Sequence, residues 1–323
     1  MSFTSKIKRI GFCTGIVFFT LTQTAFAEKL ALSAKYIQTE GFVTYQIGNI
    51  SGAPWFPLSE LEFPIDGRAI ELGISKRLPK TARRNEIVLR GSVKTNLSDP
   101  SGKMEDRDWV YSPGNQLDIY TESEAELKQF EFNFGVDYFL KSFYEDHLKL
   151  WFGSGITYQR FLYKVYGADG FTYATVTNGA FNPRLSSPLT ISSSGHVLNY
   201  DITYIIPYLE GRLNYEHEKI SLQFSLGFSP LVFSYDEDEH LVRDPPKTAE
   251  GTSTGTSVSL GAFFKYKLNE SVFVTADYSY LSIQTEGDQE QFVTSTKALI
   301  ASGIDYKTKS EHSVFKLGIG SSF

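Results

Sequence analysis

Phe315-Lys316-Leu317-Gly318-Ile319-Gly320-Ser321-Ser322-Phe323 is the last stretch of the chain. In an extended strand, successive side chains point to opposite faces. Phe315, Leu317, Ile319, Ser321 and Phe323 then share one face, and Lys316, Gly318 and Gly320 share the other. An apolar face ending on an aromatic residue, backed by a small and polar face, is what a barrel strand in lipid requires. Its outward side chains meet hydrocarbon and its inward ones line a polar interior.

The same period of two recurs upstream. Phe130, Phe132, Phe134, Val136 and Tyr138 alternate with Glu131, Asn133, Gly135 and Asp137. Ile220, Leu222, Phe224, Leu226 and Phe228 alternate with Ser221, Gln223, Ser225, Gly227 and Ser229. Val258 to Tyr266 and Val272 to Tyr280 repeat the pattern. A soluble sandwich also alternates, so period alone does not separate the two folds. The two ends of the chain favour the barrel. Lys6, Lys8 and Arg9 precede a mostly apolar run from Ile10 to Leu21, and Ala25-Phe26-Ala27 is a small-x-small cleavage site. That run is shorter than the ~20 residues of a membrane-spanning helix. Residues 1–27 are therefore expected to be a signal peptide and residues 28–323 a single outer-membrane β-barrel domain.

Composition narrows the chemistry. The one cysteine, Cys13, lies in the signal, so disulfides, a thiol nucleophile and zinc–thiolate sites are excluded from the mature chain. Removing the three basic residues of the signal leaves 28 basic against 37 acidic residues, a net charge of −9. This excess of acid disfavours nucleic acid as a partner and favours cationic ligands. With 19 Tyr and 26 Phe, the chain can furnish the aromatic girdles of a membrane barrel.

Connections alternate in length. Short polar turns lie near Leu78–Arg84, Lys141–His147, Tyr215–Lys219 and Asn269–Ser271. Long polar segments lie near Ile47–Ser59, Lys94–Lys128, Tyr166–Asn199, Glu237–Thr256 and Ile283–Glu311. Four short turns and five long loops make ten antiparallel strands, with the short turns periplasmic and the long loops outside. Several strands exceed the ~9–11 residues that cross a bilayer, so the barrel should project above the membrane.

Two acidic clusters carry the candidate chemistry: Met104-Glu105-Asp106-Arg107-Asp108-Trp109 and Asp236-Glu237-Asp238-Glu239-His240. The strand count puts the first in the second long loop and the second at the top of strand seven, both outside the cell. Residues two apart share a strand face, so Asp236, Asp238 and His240 point one way, and so do Asp106 and Asp108. A histidine oriented by a carboxylate can act as a general base. A facing carboxylate pair can share a proton and hold a water. Acidic surface loops are also commonly just solvated.

Those segments, together with Ile206-Pro207-Tyr208-Leu209-Glu210-Gly211, resemble in order and spacing the omptin family of outer-membrane endopeptidases. The resemblance covers essentially the whole mature chain and implies a ten-stranded barrel. It implies an Asp–His couple at Asp238 and His240 facing two aspartates at Asp106 and Asp108, and an acidic substrate pocket formed by Asp236 with Glu40. Ser123 stands where the family has a serine, and Ala125 replaces a nearby histidine. Lipopolysaccharide is a possible requirement for activity, with Arg160 matching one basic contact and Thr203 replacing another. The reading is thus a surface peptidase cleaving beside Lys or Arg, expected to be monomeric, with no metal or other cofactor and with cationic peptides and outer-membrane lipid as partners. The alternatives are a catalytically silent barrel acting as adhesin or receptor, and a small porin, disfavoured because Phe263 and Lys265 would fill the lumen.

Overall fold

The computed structural model describes residues 30–50, 53–78, 85–111, 116–177 and 180–323, so the expected signal lies outside the described residues. One antiparallel sheet closes on itself. Its ten staves are β1 (Leu30–Gly48), β2 (Ser59–Pro64 continuing as Gly67–Leu78), β3 (Ile87–Asn96 continuing as Met104–Asp108), β4 (Ile119–Phe143) and β5 (Leu148–Thr172). They continue with β6 (Leu189–His217), β7 (Ile220–His240), β8 (Lys247–Lys267), β9 (Val272–Val293) and β10 (Leu299–Ser322). Each pairs with the next, and β10 pairs with β1 from Ala31 opposite Ser322 to Gly48 opposite Asp305. A two-residue ribbon, Val176–Thr177 with Ala180–Phe181, stands outside the ring.

The alternation sorts as lipid demands. Leu222, Phe224, Leu226 and Phe228 of β7 and Phe315, Leu317 and Ile319 of β10 are exposed on the outer wall. Apolar exposure on β7 runs from Ile220 to Tyr235, and above it the outward positions Glu237 and Glu239 are acidic. The lumen at membrane depth is filled by ion pairs. Asp137 takes Arg90 at 2.7 Å and Arg212 at 2.6 Å, while Glu71 takes Lys35 at 3.3 Å and Lys316 at 2.6 Å. Lys35 also lies over the Phe263 ring, and Lys265 over Phe273. These contacts lock the interior; they do not leave it as an aqueous channel.

The connections differ from the sequence expectation. The turns after β4, β6 and β8 fall where they were placed, and the one expected near Leu78–Arg84 lies mostly outside the described residues; of the outer segments expected as long loops, 47–59 is mostly not strand, but 237–256 and 283–311 mostly are. β7 runs through His240 and β8 starts at Lys247; β9 runs to Val293 and β10 starts at Leu299. Met104–Asp108 is strand as well, so Asp106 and Asp108 sit on the barrel wall and not in a loop. Outside the membrane both faces of a strand meet water or polar neighbours, so the apolar contrast that marks a strand disappears while the backbone pairing continues.

Candidate active site

The site is built where three wall segments rise above the lipid band. On β7, inward positions alternate as Val232, Ser234, Asp236 and Asp238, all buried, and end at the half-buried His240. Across the barrel, the upper part of β3 is held between Ser59–Glu62 of β2 and Ile119–Ser123 of β4. This pairing points Met104, Asp106 and Asp108 inward. Glu105 and Arg107 point outward, where Arg107 pairs with Glu60 at 2.9 Å and with Glu105.

His240 Nε2 lies 2.9 Å from Asp238 Oδ2. A carboxylate accepts at that nitrogen, so the ring's proton belongs on Nε2 and its Nδ1 lone pair is left for another donor. The two acidic groups face each other closely enough to interact. Burial pushes the Asp106 carboxyl well above the ordinary aspartate range, with the charges of Asp108 and Asp238 adding to the rise. Burial raises Asp108 too, countered by Ser59, by Arg243 in the 241–246 connection and by His240. These shifts oppose simultaneous ionisation of Asp106 and Asp108. Asp106, Asp108, Asp238 and His240 converge at one rim, as their spacing indicates.

Asp236 sits one inward position below Asp238, fully buried, with the Tyr306 and Tyr200 hydroxyls and the Gly251 backbone as its hydrogen-bonding neighbours. Burial pushes its carboxyl up to about 8. Glu40 does not join it. On β1 the buried positions are Ile37, Thr39, Val43 and Tyr45, and Glu40 is exposed on the opposite parity. The inward residue of β1 near Asp236 and Asp238 is Tyr45, whose hydroxyl is pushed up by burial and by those two charges. Ser123 faces inward opposite Met104, and Ala125 lies below it. Arg160 is on the outer wall and donates through Nε and Nη2 to Asp201, with Thr203 paired opposite it.

Sequence reasoning missed Tyr45, Tyr200, Tyr306, Gln289 and Gly251, which surround Asp236. Tyr306 and Gln289 lay in a segment expected to be loop, where strand parity was not applied. Among the described residues, no group of three or more His, Cys, Asp or Glu side chains is arranged to hold a metal ion.

The Omptin family model matches residues 58–323. Outer membrane protease OmpP of Escherichia coli (strain K12) is 27% identical over 187 residues, covering 57% of this chain and 54% of that protein. The chain therefore aligns with about half the length of this relative. Outer membrane protease OmpT from Escherichia coli superposes with a TM-score of 0.76 at 16% identity, over 93% of this chain and 99% of that one, a likeness of fold.

Proposed function

The chain belongs to the omptin family and is an outer-membrane β-barrel, and from that premise we propose that it is a surface endopeptidase cleaving peptide bonds beside basic residues. The observation that carries the reading is the 2.9 Å contact between Asp238 and His240, set opposite the Asp106–Asp108 pair at the outer rim. OmpP and OmpT are both named as outer membrane proteases.

In this mechanism His240, held by Asp238 through Nε2, accepts a proton from a water at Nδ1 as that water attacks the peptide carbonyl. Asp106 and Asp108 hold the water, and a proton retained on one of them is donated toward the developing oxyanion. No metal and no covalent intermediate are needed. Asp236 lies below the couple and favours a cationic side chain next to the cleaved bond, drawn in by the net negative charge of the chain. The closed ring leaves no free strand edge, which supports a monomer.

Lipopolysaccharide enters the proposal only at Arg160, through the guanidinium donors left over from Asp201. With Asp201 already serving as counter-ion, lipid dependence should be weaker than for a free cation, and no step of the reaction runs through the lipid.

The experiment is incubation of the refolded barrel with internally quenched peptides containing Arg-Arg or Lys-Arg, with and without lipopolysaccharide. Cleavage is expected, and His240→Ala should reduce kcat by about 10²–10⁴-fold while heat-modifiable gel mobility persists. A folded His240→Ala barrel as active as wild type would place the chemistry elsewhere. Absence of cleavage with retained peptide binding would favour an adhesin or receptor.

A further inference from the structure

Above the Asp238–His240 couple, β7 turns into β8 through residues 241–246. Lys247, the first residue of β8, stands directly opposite His240 in the ladder. Directly opposed residues of an antiparallel pair point to the same face, with Cβ atoms about 4.5–5.5 Å apart. The next inward pairs down the ladder, Ala249 opposite Asp238 and Gly251 opposite Asp236, are buried inside the barrel. Lys247 therefore shares the inner face with the proposed base, and it is half-buried there. Arg243 lies in the turn and is exposed. Its charge reaches Asp106 and Asp108 on β3, Tyr45 on β1 and Lys247 on β8. A guanidinium felt from three sides of the ring lies over the mouth of the barrel, not against its outer wall.

These two cations lack counter-ions. Among the described residues, neither Lys247 nor Arg243 has an ion-pair or hydrogen-bond partner. Other cations of the outer rim do. Arg107 holds Glu60 at 2.9 Å, Arg184 holds Asp118 at 2.7 Å and Lys307 holds Glu286 at 2.6 Å. Burial and the Arg243 charge together pull the Lys247 ammonium below the usual lysine range. Like charges kept close together cost energy, and an anion placed between them removes that cost. The acids nearby do not supply it. Burial raises Asp106, Asp108 and Asp236, which lessens their negative charge near neutral pH. Asp238 is engaged by His240, and Glu239 faces outward to accept from Asn199 at 2.9 Å. Asp244, in the same turn, is exposed and pairs with neither cation.

We propose that Lys247, with Arg243 above it, is a specificity-determining site that takes a substrate carboxylate on the β8 side of the scissile bond. The proposal rests on the peptidase reading and adds a second substrate feature to the basic residue. A carboxylate offers about four lone-pair sites, and it can accept from the Lys247 ammonium and the Arg243 guanidinium at once. The ammonium is held by its strand beside His240, so the anion it binds lies at the flank of the reacting bond. The guanidinium, carried on an exposed turn, closes over that anion from outside. The carboxylate can belong to an acidic side chain or to the C-terminus of a short peptide, since both present the same two oxygens.

The test uses amidated peptides with one Arg beside the scissile bond and either Glu or Gln at each of the flanking positions in turn, with calorimetric binding of the same peptides to the refolded barrel. A short peptide ending at each position, as free acid and as amide, separates the terminal carboxylate from the side chain. At one position the acid should exceed its neutral counterpart about tenfold in kcat/KM, the scale of one charge-assisted hydrogen bond at a partly exposed site. Lys247→Gln should bring that ratio to within about twofold of unity, and Lys247→Arg should restore it. Arg243→Gln, in an exposed turn, serves should Lys247→Gln fail to fold and should lower the ratio about threefold. Lys307→Gln, on the outer face, should leave it unchanged. Ratios within twofold of unity at every position for both carboxylate sources, or a preference that persists in Lys247→Gln, overturn the proposal while the peptidase reading stands. If no peptide is cleaved, the peptidase reading fails. Acidic peptides that then bind no tighter than neutral ones overturn this proposal as well, and tighter binding lost in Lys247→Gln upholds it.

Discussion

Replacing Asp238 with Asn keeps the size of the side chain and removes its charge. Asp238 is 1% exposed, and its Oδ2 is the group that His240 Nε2 meets at 2.9 Å. When the imidazole takes a proton, an imidazolium forms beside this carboxylate. For opposite unit charges at the 2.9 Å of this contact, Coulomb's law with an effective dielectric of about 20 gives roughly 6 kcal/mol. The ring is partly exposed, and an amide oxygen still accepts a hydrogen bond, so about half of that is the realistic loss, about 3 kcal/mol. A barrier raised by ~3 kcal/mol lowers kcat about 10²-fold. An Asn whose amino group turns toward the ring adds to the loss, because it forces the ring proton onto Nδ1 and removes the lone pair facing the water. Stability should move the other way. The Asp238 charge raises both Asp106 and Asp236, so its removal relieves repulsion among buried acids. The assay is kcat at saturating peptide near neutral pH, with unfolding temperature measured on the same preparation. A kcat within about threefold of wild type, or a loss of activity that tracks a loss of folded barrel, would refute this account of the Asp238–His240 couple.

Two further outcomes follow from the buried acids. Below about 8 the Asp236 carboxyl is protonated, and a cationic side chain favours the ionised form, so KM for an Arg peptide should fall as pH rises from 6 to 9 while KM for a norleucine peptide does not follow. Since the folded state holds that proton to higher pH than the unfolded chain, Asp236 lowers stability progressively as pH rises from about 4 to about 8, and Asp236→Asn should remove that part of the pH dependence. In the lumen, Asp137→Ala leaves Arg90 and Arg212 without their shared carboxylate, and should cost about 3–5 kcal/mol in urea unfolding from micelles, with peptidase activity of the folded fraction retained; an unchanged midpoint would mean the network does not hold the barrel.

The parts of the molecule in contact with lipid were the most legible in the sequence. Phe130 to Tyr138, Ile220 to Phe228 and Phe315 to Ile319 alternate because one face meets hydrocarbon and the other a polar lumen, and those strands appear as expected. Above the lipid that contrast vanishes, so 237–256 and 283–311 read as loop although most of both is strand. The convergence of Asp106, Asp108, Asp238 and His240 survived this error because short-range parity holds wherever the backbone is extended. The pocket did not survive it. Tyr306 and Gln289 lay in a supposed loop, and Glu40 was assigned by its place near β1 when its parity turns it outward.

The seam between β1 and β10 joins the first described strand to the last. Its partners, such as Ala31 and Ser322, are nearly the whole chain apart, so none of those hydrogen bonds can form until the final strand has been synthesised, exported and brought back beside the first. Until then the molecule is an open ribbon with two unsatisfied borders, each able to capture a stray extended chain. Assembly is thus all-or-nothing in time: a polypeptide interrupted anywhere before β10 has no partial ring to fall back on. The Asp238–His240 couple on β7 and the carboxylates on β3 face one another across the barrel only after that last zipper shuts, so the proposed site does not exist before closure.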